Sequence, residues 1–392
     1  MRKIAFLIPV IALVAAIPAG ARSQKRYITP EEVHETVSPA AQRKADALYE
    51  SVRKAHAAGS LSADAVVDKA LYHSVWSPQL AERCLRLVSA GSNRAKAEIG
   101  HLYTFSKTAY LFPGKEAEGV KLMEEAAAAG YAPAHDYLCI YHNSKKNYTQ
   151  ALKHFNAAGS THVPYALSVV GEMYEDGHGV KKDRATARQY FERAAMLGDS
   201  FGAAKYGLAL QKAWYGTVDM PDAFFWTYIA GDLGSDFARS NLRLPLRGER
   251  FGDDKNTAFV RNSFILTDSW NDQYGHRIEA EPIYQEGYKK GLAFRGVAAE
   301  KGDPWSLFYL GSMSNNDEFL NRNDDFISEC YEPLIKAGNK LPPAAMALVY
   351  ERMARIYSQG AHRNPALAAE YNRKAAALGS LAAYKIVEKI PD

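Results

Sequence analysis

The chain has 392 residues, of which 47% are hydrophobic and 23% are charged, and its formal net charge at pH 7 is +4. This composition excludes a generally disordered chain, and so small an excess of positive charge does not indicate nucleic-acid binding. The length exceeds what one ordinary core uses, so we expect either two or three domains or one long array of repeats.

Residues 1–21 have the pattern of a secretory signal peptide. Arg2 and Lys3 supply the positive start, Ile4 to Pro18 form an uncharged and largely apolar run, and Ala19-Gly20-Ala21 is a small-x-small cleavage site. The run is shorter than the roughly 20 residues of a spanning helix, which favours cleavage after Ala21 over an uncleaved anchor. We therefore expect a periplasmic or secreted bacterial protein without an integral membrane domain after leader removal.

Residues 22–76 are predicted to form an N-terminal helical cap region, because they show helical patterns without any repeat. Here and further along the chain, helix starts are marked by a polar capping residue followed by proline. These starts are Thr29-Pro30, Ser38-Pro39, Ser77-Pro78, Asp303-Pro304 and Asn364-Pro365. No segment alternates in the way that predicts a strand.

A helix-ending pattern of small residues followed by glycine recurs along the rest of the chain. Its glycines are Gly91, Gly130, Gly159, Gly198, Gly234, Gly302, Gly338 and Gly379. Six of the seven spacings fall between 29 and 41 residues, as in a helix-pair repeat, and the seventh is 68, about two units. The long spacing predicts either a degenerate repeat or an insertion.

The clearest repeat unit runs from residue 166 to residue 198. Its predicted packing residues are Ala166, Gly171, Tyr174, Gly177, Gly179, Ala187, Tyr190, Ala194 and Gly198. Small residues allow two antiparallel helices to approach, and the tyrosines, together with Phe191, fill the space beside them. Gly177 and Gly179 permit a tight turn between the helices, and Gly198 ends the second one. One such pair cannot bury its apolar face alone, so neighbouring pairs must stack.

This unit resembles the Sel1-like repeat, in which Gly-x-x-Tyr-x-x-Gly-x-Gly-Val-x-x-Asp precedes Ala-x-x-Tyr and a closing Ala-Ala-x-x-Gly. The resemblance implies a tetratricopeptide-like α/α superhelix that is used mostly for protein–protein binding. We therefore predict an all-α solenoid, with repeats over residues 77–234 and 296–392 and a degenerate repeat or insertion over 235–295.

Residues 235–295 are the most individual part of the sequence and the predicted partner-binding region. Arg239 and Arg243 share one helix face, and Trp270 and Tyr274 follow them. Arginine and aromatic side chains are enriched at binding hot spots, and insertions into repeat arrays often lie on the binding face. The alternative, which we favour on helical spacing, is a degenerate repeat with its aromatic residues in the core.

The chemistry-bearing residues form no catalytic, cofactor-binding or metal-binding pattern. Asp176-Gly177-His178-Gly179 lacks the strand–loop–helix setting of a phosphate loop. His135, His142, His154 and His162 do not have the spacing of a known ligand set, although a site assembled from distant repeats stays open. The carboxylates occur as adjacent pairs, which point in different directions on a helix. We expect no cofactor.

The three cysteines, Cys84, Cys139 and Cys330, lie in helical patterns among apolar residues. An odd number cannot pair completely within one chain, so we expect three small buried side chains. Export to an oxidising compartment would still allow one disulfide to form.

These observations favour a non-enzymatic scaffold or adaptor of the bacterial cell envelope that binds a peptide or protein partner. The alternatives are an envelope enzyme acting on cell-wall or peptide material, and a secreted or toxin-neutralising binding protein. The identity of the partner and the oligomeric state are left open by the sequence.

Overall fold

The computed structural model describes residues 38–105, 108–159, 162–212, 219–238, 269–271, 277–279, 295–315, 324–338 and 340–390. The first helices are α1 (Pro39–Ala57), α2 (Ala63–Ser74), α3 (Pro78–Arg86), α4 (Asn93–Thr104), α5 (Glu116–Ala128), α6 (Ala132–Ser144), α7 (Tyr148–Ala158) and α8 (Pro164–Asp176). They are followed by α9 (Arg184–Met196), α10 (Ser200–Gln211), α11 (Met220–Asp232), α12 (Pro304–Asn315), α13 (Asp324–Lys336), α14 (Pro343–Ser358), α15 (Pro365–Ala377) and α16 (Leu381–Glu388). A 3₁₀ turn spans Ala109–Leu111, and residues 295–300 are also helical.

Polar side chains cap the helix starts that the sequence marked. Ser38 Oγ accepts from the Ala41 amide at 3.2 Å, and Ser77 Oγ accepts from the Leu80 amide at 3.1 Å. Asp303 and Asn364 cap α12 and α15 in the same way. Each cap satisfies an amide that has no partner inside its own helix. Thr29 lies outside the described residues.

The helices pair as antiparallel neighbours, and the pairs stack in chain order. The pairs are α4–α5, α6–α7, α8–α9, α10–α11, α12–α13 and α14–α15. The first helices of successive pairs, α4, α6, α8 and α10, also contact one another, whereas the successive second helices α5, α7, α9 and α11 make almost no contact with each other. The array therefore bends with its first helices on the inside. The prediction of an all-α solenoid is confirmed.

Within a pair, a glycine of the first helix faces a large side chain of the second. A Cβ placed on Gly171 would lie 2.6 Å from the ring of Phe191, and one on Gly311 would lie 2.5 Å from the ring of Tyr331. Tyr174 and Tyr190 stack beside the first of these contacts with ring centroids 5.6 Å apart. Because the glycine has no side chain, the aromatic ring rests directly on the facing helix.

The turn after α8 requires glycine. Gly177 has φ 81° and ψ 31°, a left-handed conformation in which its amide bonds to the Met173 carbonyl and ends the helix. A Cβ on Gly198, which follows α9, would lie 2.7 Å from Pro342, so this repeat end is packed against the start of α14.

Two short strands lie inside the 235–295 stretch, where the sequence indicated none. Ser269–Asn271 (β1) and Arg277–Glu279 (β2) pair antiparallel, with Trp270 opposite Ile278. Three residues are too few to show the alternation by which a strand is recognised in a sequence. The rest of residues 239–294 lies outside the described part, so the division of the chain into repeats and insertion stays a prediction.

The second helix and the last helix of the described chain meet. Nδ1 of His73, on α2, lies 2.8 Å from the Tyr384 hydroxyl on α16, and the Tyr72 hydroxyl donates to Glu388 Oε1 at 3.0 Å. Trp76 stacks on Tyr384 with ring centroids 6.2 Å apart. The described array is thus closed by a contact between residues more than 300 positions apart.

The three cysteines are buried and none is paired. Burial raises the pKa of Cys84 to about 11 and those of Cys139 and Cys330 to about 12, so each stays a thiol at neutral pH. Among the described residues, no helix is both long enough and apolar enough to cross a membrane.

Candidate partner-binding surface

The first helices of four successive pairs share one register. Aligning them on Gly100, Gly171 and Gly207 places Cys139 at the same position in α6. In each helix we consider three positions: six before, two before and one after the aligned residue. These positions are four and three residues apart, so they fall on a single helix face. We call ten of these side chains the inner stripe. They are Arg94, Glu98, His101, Tyr137, Ile140, Tyr165, Glu172, Phe201, Lys205 and Leu208.

In α10 the inner stripe is the part of the helix that solvent reaches. Between Phe201 and Leu210, only Phe201, Lys205 and Leu208 are partly accessible, and every other residue is buried. All ten members of the stripe are half-buried. Because the first helices lie on the inside of the bend, these side chains line a concave surface.

At the α4–α6 end, the stripe is organised around Tyr137. Its hydroxyl donates to Glu98 Oε1 at 3.0 Å. Its ring stacks on that of His101, with centroids 4.4 Å apart and planes inclined by 5°. Both contacts cross from one repeat to the next, so they fix the spacing of the two helices and leave one tyrosine edge at the surface.

At the α8–α10 end, Lys205 occupies the position that Tyr137 holds in α6. Its ammonium group lies 3.0 Å from Glu175 and 3.2 Å from Glu172 on the preceding first helix. The same ammonium lies 5.5 Å from the centroid of the Phe201 ring. Phe201 in turn meets Tyr165 edge to face at 6.0 Å. An ion pair and an aromatic pair therefore sit side by side on the inner surface.

Partial burial shifts the protonation of these groups. Burial raises the pKa of Glu98 and Glu172, the second despite the nearby Lys205. Burial lowers the pKa of His101 to about 4, so this imidazole is neutral at pH 7. Burial alone would lower the pKa of Lys205, but Glu172 and Glu175 outweigh it and the net pKa is raised. At pH 7 the stripe therefore carries the charge of Lys205 and none from His101.

The composition of the stripe suits recognition of another chain. Tyrosine, phenylalanine and arginine give large contact areas with few rotatable bonds, and tyrosine adds a polar end. The charged members already have partners on adjacent helices, which favours a pre-arranged binding surface over a set of reacting groups.

The stripe ends where the C-terminal pairs cover it. The equivalent residues of α12, Trp305, Tyr309 and Ser312, are buried. Beneath them Arg352 of α14 donates from Nη1 to the Ser312 hydroxyl and the Tyr331 hydroxyl, both at 2.8 Å, and pairs through Nη2 with Asp232. The stripe on α4, α6, α8 and α10 is therefore not continued on α12.

A second ion pair joins the helices on either side of the 235–295 stretch. Arg295 Nη2 lies 2.6 Å from Asp222 Oδ1, and the guanidinium sits 3.6 Å from the centroid of the Phe225 ring. Together with the Arg352–Asp232 pair, the Arg295–Asp222 pair holds α11 against the part of the chain that follows this stretch.

Of the partner-binding residues predicted from the sequence, only Trp270 is among the described residues. Arg239, Arg243 and Tyr274 fall outside the described residues. Trp270 lies on β1, opposite Ile278. The sequence reasoning missed the inner stripe, although its signal was present in the side chains at fixed distances from the repeat glycine.

The structure brings three of the four histidines together. His135, His142 and His154, whose spacing indicated no set, lie together between α6 and α7, whereas His162 approaches Asp136. In the part of the chain that the structure describes, no three histidine, cysteine, aspartate or glutamate side chains are arranged so that they could hold a metal ion. His178 of the Gly-x-Gly segment is stacked on Tyr148, with centroids 4.6 Å apart.

Comparison with known proteins identifies the repeat. The family model described as "Sel1 repeat" matches residues 98–131, 132–160, 164–199 and 348–380. All four segments lie within the two predicted repeat regions. They include α6, α8 and the part of α4 from residue 98 onward, which carry six of the ten residues of the inner stripe.

A protein of Neisseria meningitidis serogroup B, described as uncharacterized, is 32% identical over 110 residues. The matched part is 27% of this chain and 24% of that protein, so the chain spans about a quarter of the length of this curated relative.

Two solved structures are similar at low identity. A protective antigen of uropathogenic Escherichia coli, described as displaying an SLR fold, is 19% identical with a TM-score of 0.38, covering 86% of this chain and 73% of that one. A Sel1 repeat protein from Oxalobacter formigenes is 17% identical with a TM-score of 0.29, covering 81% of this chain and 90% of that one.

Proposed function

The chain contains four Sel1 repeats, and from this premise we propose that it is a non-enzymatic scaffold that binds a peptide or protein partner on its inner stripe. Sel1 repeats are typically interaction modules. The observation that carries the proposal is the row of half-buried aromatic and charged side chains on α4, α6, α8 and α10, already fixed by contacts between repeats.

The geometry supports an extended or helical segment as the bound element. The stripe is made of the same three positions in successive helices, so its contacts repeat along the array. At one end it offers Tyr137 with its Glu98 acceptor, and at the other the Tyr165–Phe201 pair beside Lys205. A partner that engages both ends would have to extend over four successive first helices, α4, α6, α8 and α10.

The test is site-specific photocrosslinking in envelope extracts. A photoreactive phenylalanine analogue at position 165 is expected to trap one dominant protein, because this aromatic side chain lies on the inner stripe. The matched control is Met196, which is 51% exposed on α9 and faces away from the stripe. Equal labelling from both positions would place the partner elsewhere.

With the partner in hand, the double variant Tyr165→Ala, Phe201→Ala is expected to weaken binding about 30-fold. Truncating aromatic residues at the centre of an interface costs about 2 kcal/mol or more. Binding is measured by calorimetry, and far-UV circular dichroism checks that both proteins are equally helical. An unchanged affinity would contradict the proposal.

We also propose that the protein is exported and acts in the envelope. The support is the leader pattern of residues 1–21, which lie outside the described residues. We expect the mature protein to begin at Arg22 and to fractionate with the periplasm, as shown by N-terminal sequencing and cell fractionation. Recovery only from the culture medium would favour the secreted alternative, and an N-terminus at Met1 would contradict cleavage.

A further inference from the structure

The last helix, α16, follows the α14–α15 pair as a first helix does, but it carries a glutamate where four first helices carry glycine. The eighth residue of α4, α8, α10 and α12 is Gly100, Gly171, Gly207 and Gly311, respectively, and each of these glycines faces the second helix of its own pair. The eighth residue of α16 is Glu388. A glutamate does not allow the close helix approach that glycine allows, so this end of the array makes a different contact.

Glu388 meets the N-terminal helices. The Tyr72 hydroxyl of α2 donates to Glu388 Oε1 at 3.0 Å, and Lys44 Nζ of α1 lies 4.0 Å from Glu388 Oε2. The ring of Tyr384, one turn earlier on α16, lies 4.9 Å from that of Tyr72 and stacks on Trp76 at 6.2 Å. We call this meeting of α2 and α16 the end contact. Its members are Tyr72, His73, Trp76, Tyr384 and Glu388.

A buried histidine is paired with a tyrosine in the end contact. Nδ1 of His73 lies 2.8 Å from the Tyr384 hydroxyl. A neutral imidazole has one nitrogen that accepts a hydrogen bond, whereas both nitrogens of a protonated ring are donors. Protonation of His73 therefore removes the acceptor that the ring can offer Tyr384, and it places a positive charge in a site that water hardly reaches.

The charged groups that face His73 come from three helices. They are Lys44 of α1, Lys69 of α2 and Glu388 of α16. The two ammonium groups outnumber the one carboxylate, so a charge on the imidazole is not compensated. The other titratable neighbours in the end contact, Tyr72 and Cys84 of α3, are uncharged at neutral pH, because burial raises the pKa of both.

The end contact can open without unfolding a helix pair. The helix α2 packs mainly on α3, and α16 packs on α15. Those partners are neighbours in the chain, whereas His73 and Tyr384 are 311 residues apart. Parting α2 from α16 therefore exposes the side chains of the end contact and leaves both helices on their own partners. Such a local opening costs less free energy than global unfolding.

We propose that the end contact is a pH-sensitive switch, in which protonation of His73 parts α2 from α16 while the stacked helix pairs stay folded. Burial, opposed by Glu388 and assisted by Lys69 and Lys44, lowers the pKa of His73 to about 4 in the closed state. In the open state the imidazole is in water, where its ordinary pKa is 6.5. Closure is thus fully favoured above pH 6.5 and weakens as the pH falls. From pH 8 to pH 5 the ratio of open to closed chains is expected to rise about 30-fold.

The test measures the distance between α2 and α16 in the full chain by electron–electron double resonance. Spin labels are attached at Asp64→Cys and Lys385→Cys, two exposed positions on these helices. The chain's own cysteines are buried, and the chain without the new cysteines checks that they take no label. We expect one short distance at pH 8 and a longer one that grows about 30-fold relative to the first at pH 5. The far-UV circular dichroism is expected to be the same at both pH values.

Three variants provide the controls. His73→Phe and His73→Gln both remove the titrating group, so the proportion of the short distance is expected to be the same at pH 5 as at pH 8. His178→Phe removes an exposed histidine outside the end contact and is expected to open like the unsubstituted chain. The proposal is overturned if the distances do not change between pH 8 and pH 5, or if a folded His73 variant opens to the same extent. It is also overturned if the helical signal is lost together with the short distance.

Discussion

Replacing Arg352 by alanine is expected to lower the free energy of unfolding by about 3–5 kcal/mol, because a buried charge pair loses one partner. The guanidinium is the common donor for Asp232, Ser312 and Tyr331, and it lies 5.7 Å from the centroid of the Phe308 ring. Without it, the Asp232 carboxylate is left in a largely dry site between α11, α12 and α14. Chemical denaturation followed by circular dichroism measures the loss.

Two further variants separate charge from packing. Arg352→Met combined with Asp232→Leu removes both charges and keeps the volume, and it is expected to recover most of the stability, since apolar replacements of buried pairs are often neutral. Arg53→Ala breaks an exposed pair with Glu50 and is expected to change stability far less. If Arg352→Ala stayed within about 1 kcal/mol of the unsubstituted chain, the network would not hold these helices together.

Acidification is expected to destabilise the protein through His73. This side chain is 3% exposed, and burial lowers its pKa to about 4 from an ordinary value of 6.5. Glu388 acts in the opposite direction, and Lys69 and Lys44 add to the lowering. Between pH 6.5 and about 4, His73 is protonated in the unfolded chain but stays neutral in the folded chain. Stability therefore falls from pH 6.5 to about 4, by about 1.4 kcal/mol per pH unit and about 3 kcal/mol in all.

The variant His73→Phe tests this directly. It is expected to be less stable at pH 7, because the Tyr384 hydroxyl loses its partner, but its stability is expected to fall less between pH 6.5 and 4.5. Carboxylates with raised pKa values, such as Glu98 and Glu172, act in the opposite sense but contribute equally to both proteins. The exposed position His178, changed to Phe, is the control for losing one imidazole. Identical pH dependence in all three proteins would contradict the assignment.

The site was only partly predictable from the sequence. The repeat glycines and the tyrosines that follow them place the first helices in register, so the sequence alone brings Tyr137 and Lys205 to the same position in their repeats. The sequence reasoning pointed to the arginines and aromatics of 235–295, because such side chains are enriched at binding hot spots and insertions often lie on the binding face. Which face of the first helices is turned inward depends on how neighbouring pairs stack.

The proximity of three histidines also could not be predicted from the linear sequence. His135 and His142 are seven residues apart on one helix, and His154 lies on the next, so no linear motif joins them. Their proximity follows from the antiparallel pairing of α6 and α7. Comparison of one repeat with the next would have revealed them, because they replace tyrosine at two packing positions.

The sequence by itself determined that the chain forms stacked helix pairs, where many of those helices begin, and which glycines face aromatic rings. These features depend on residues within about 40 positions of each other, and their side chains are dictated by the geometry of one pair. Only the tertiary structure decided that Arg352 reaches Asp232 and that His73 meets Tyr384, 120 and 311 residues apart. Such contacts depend on the small rotation between successive pairs, which accumulates along the array and which no single repeat encodes.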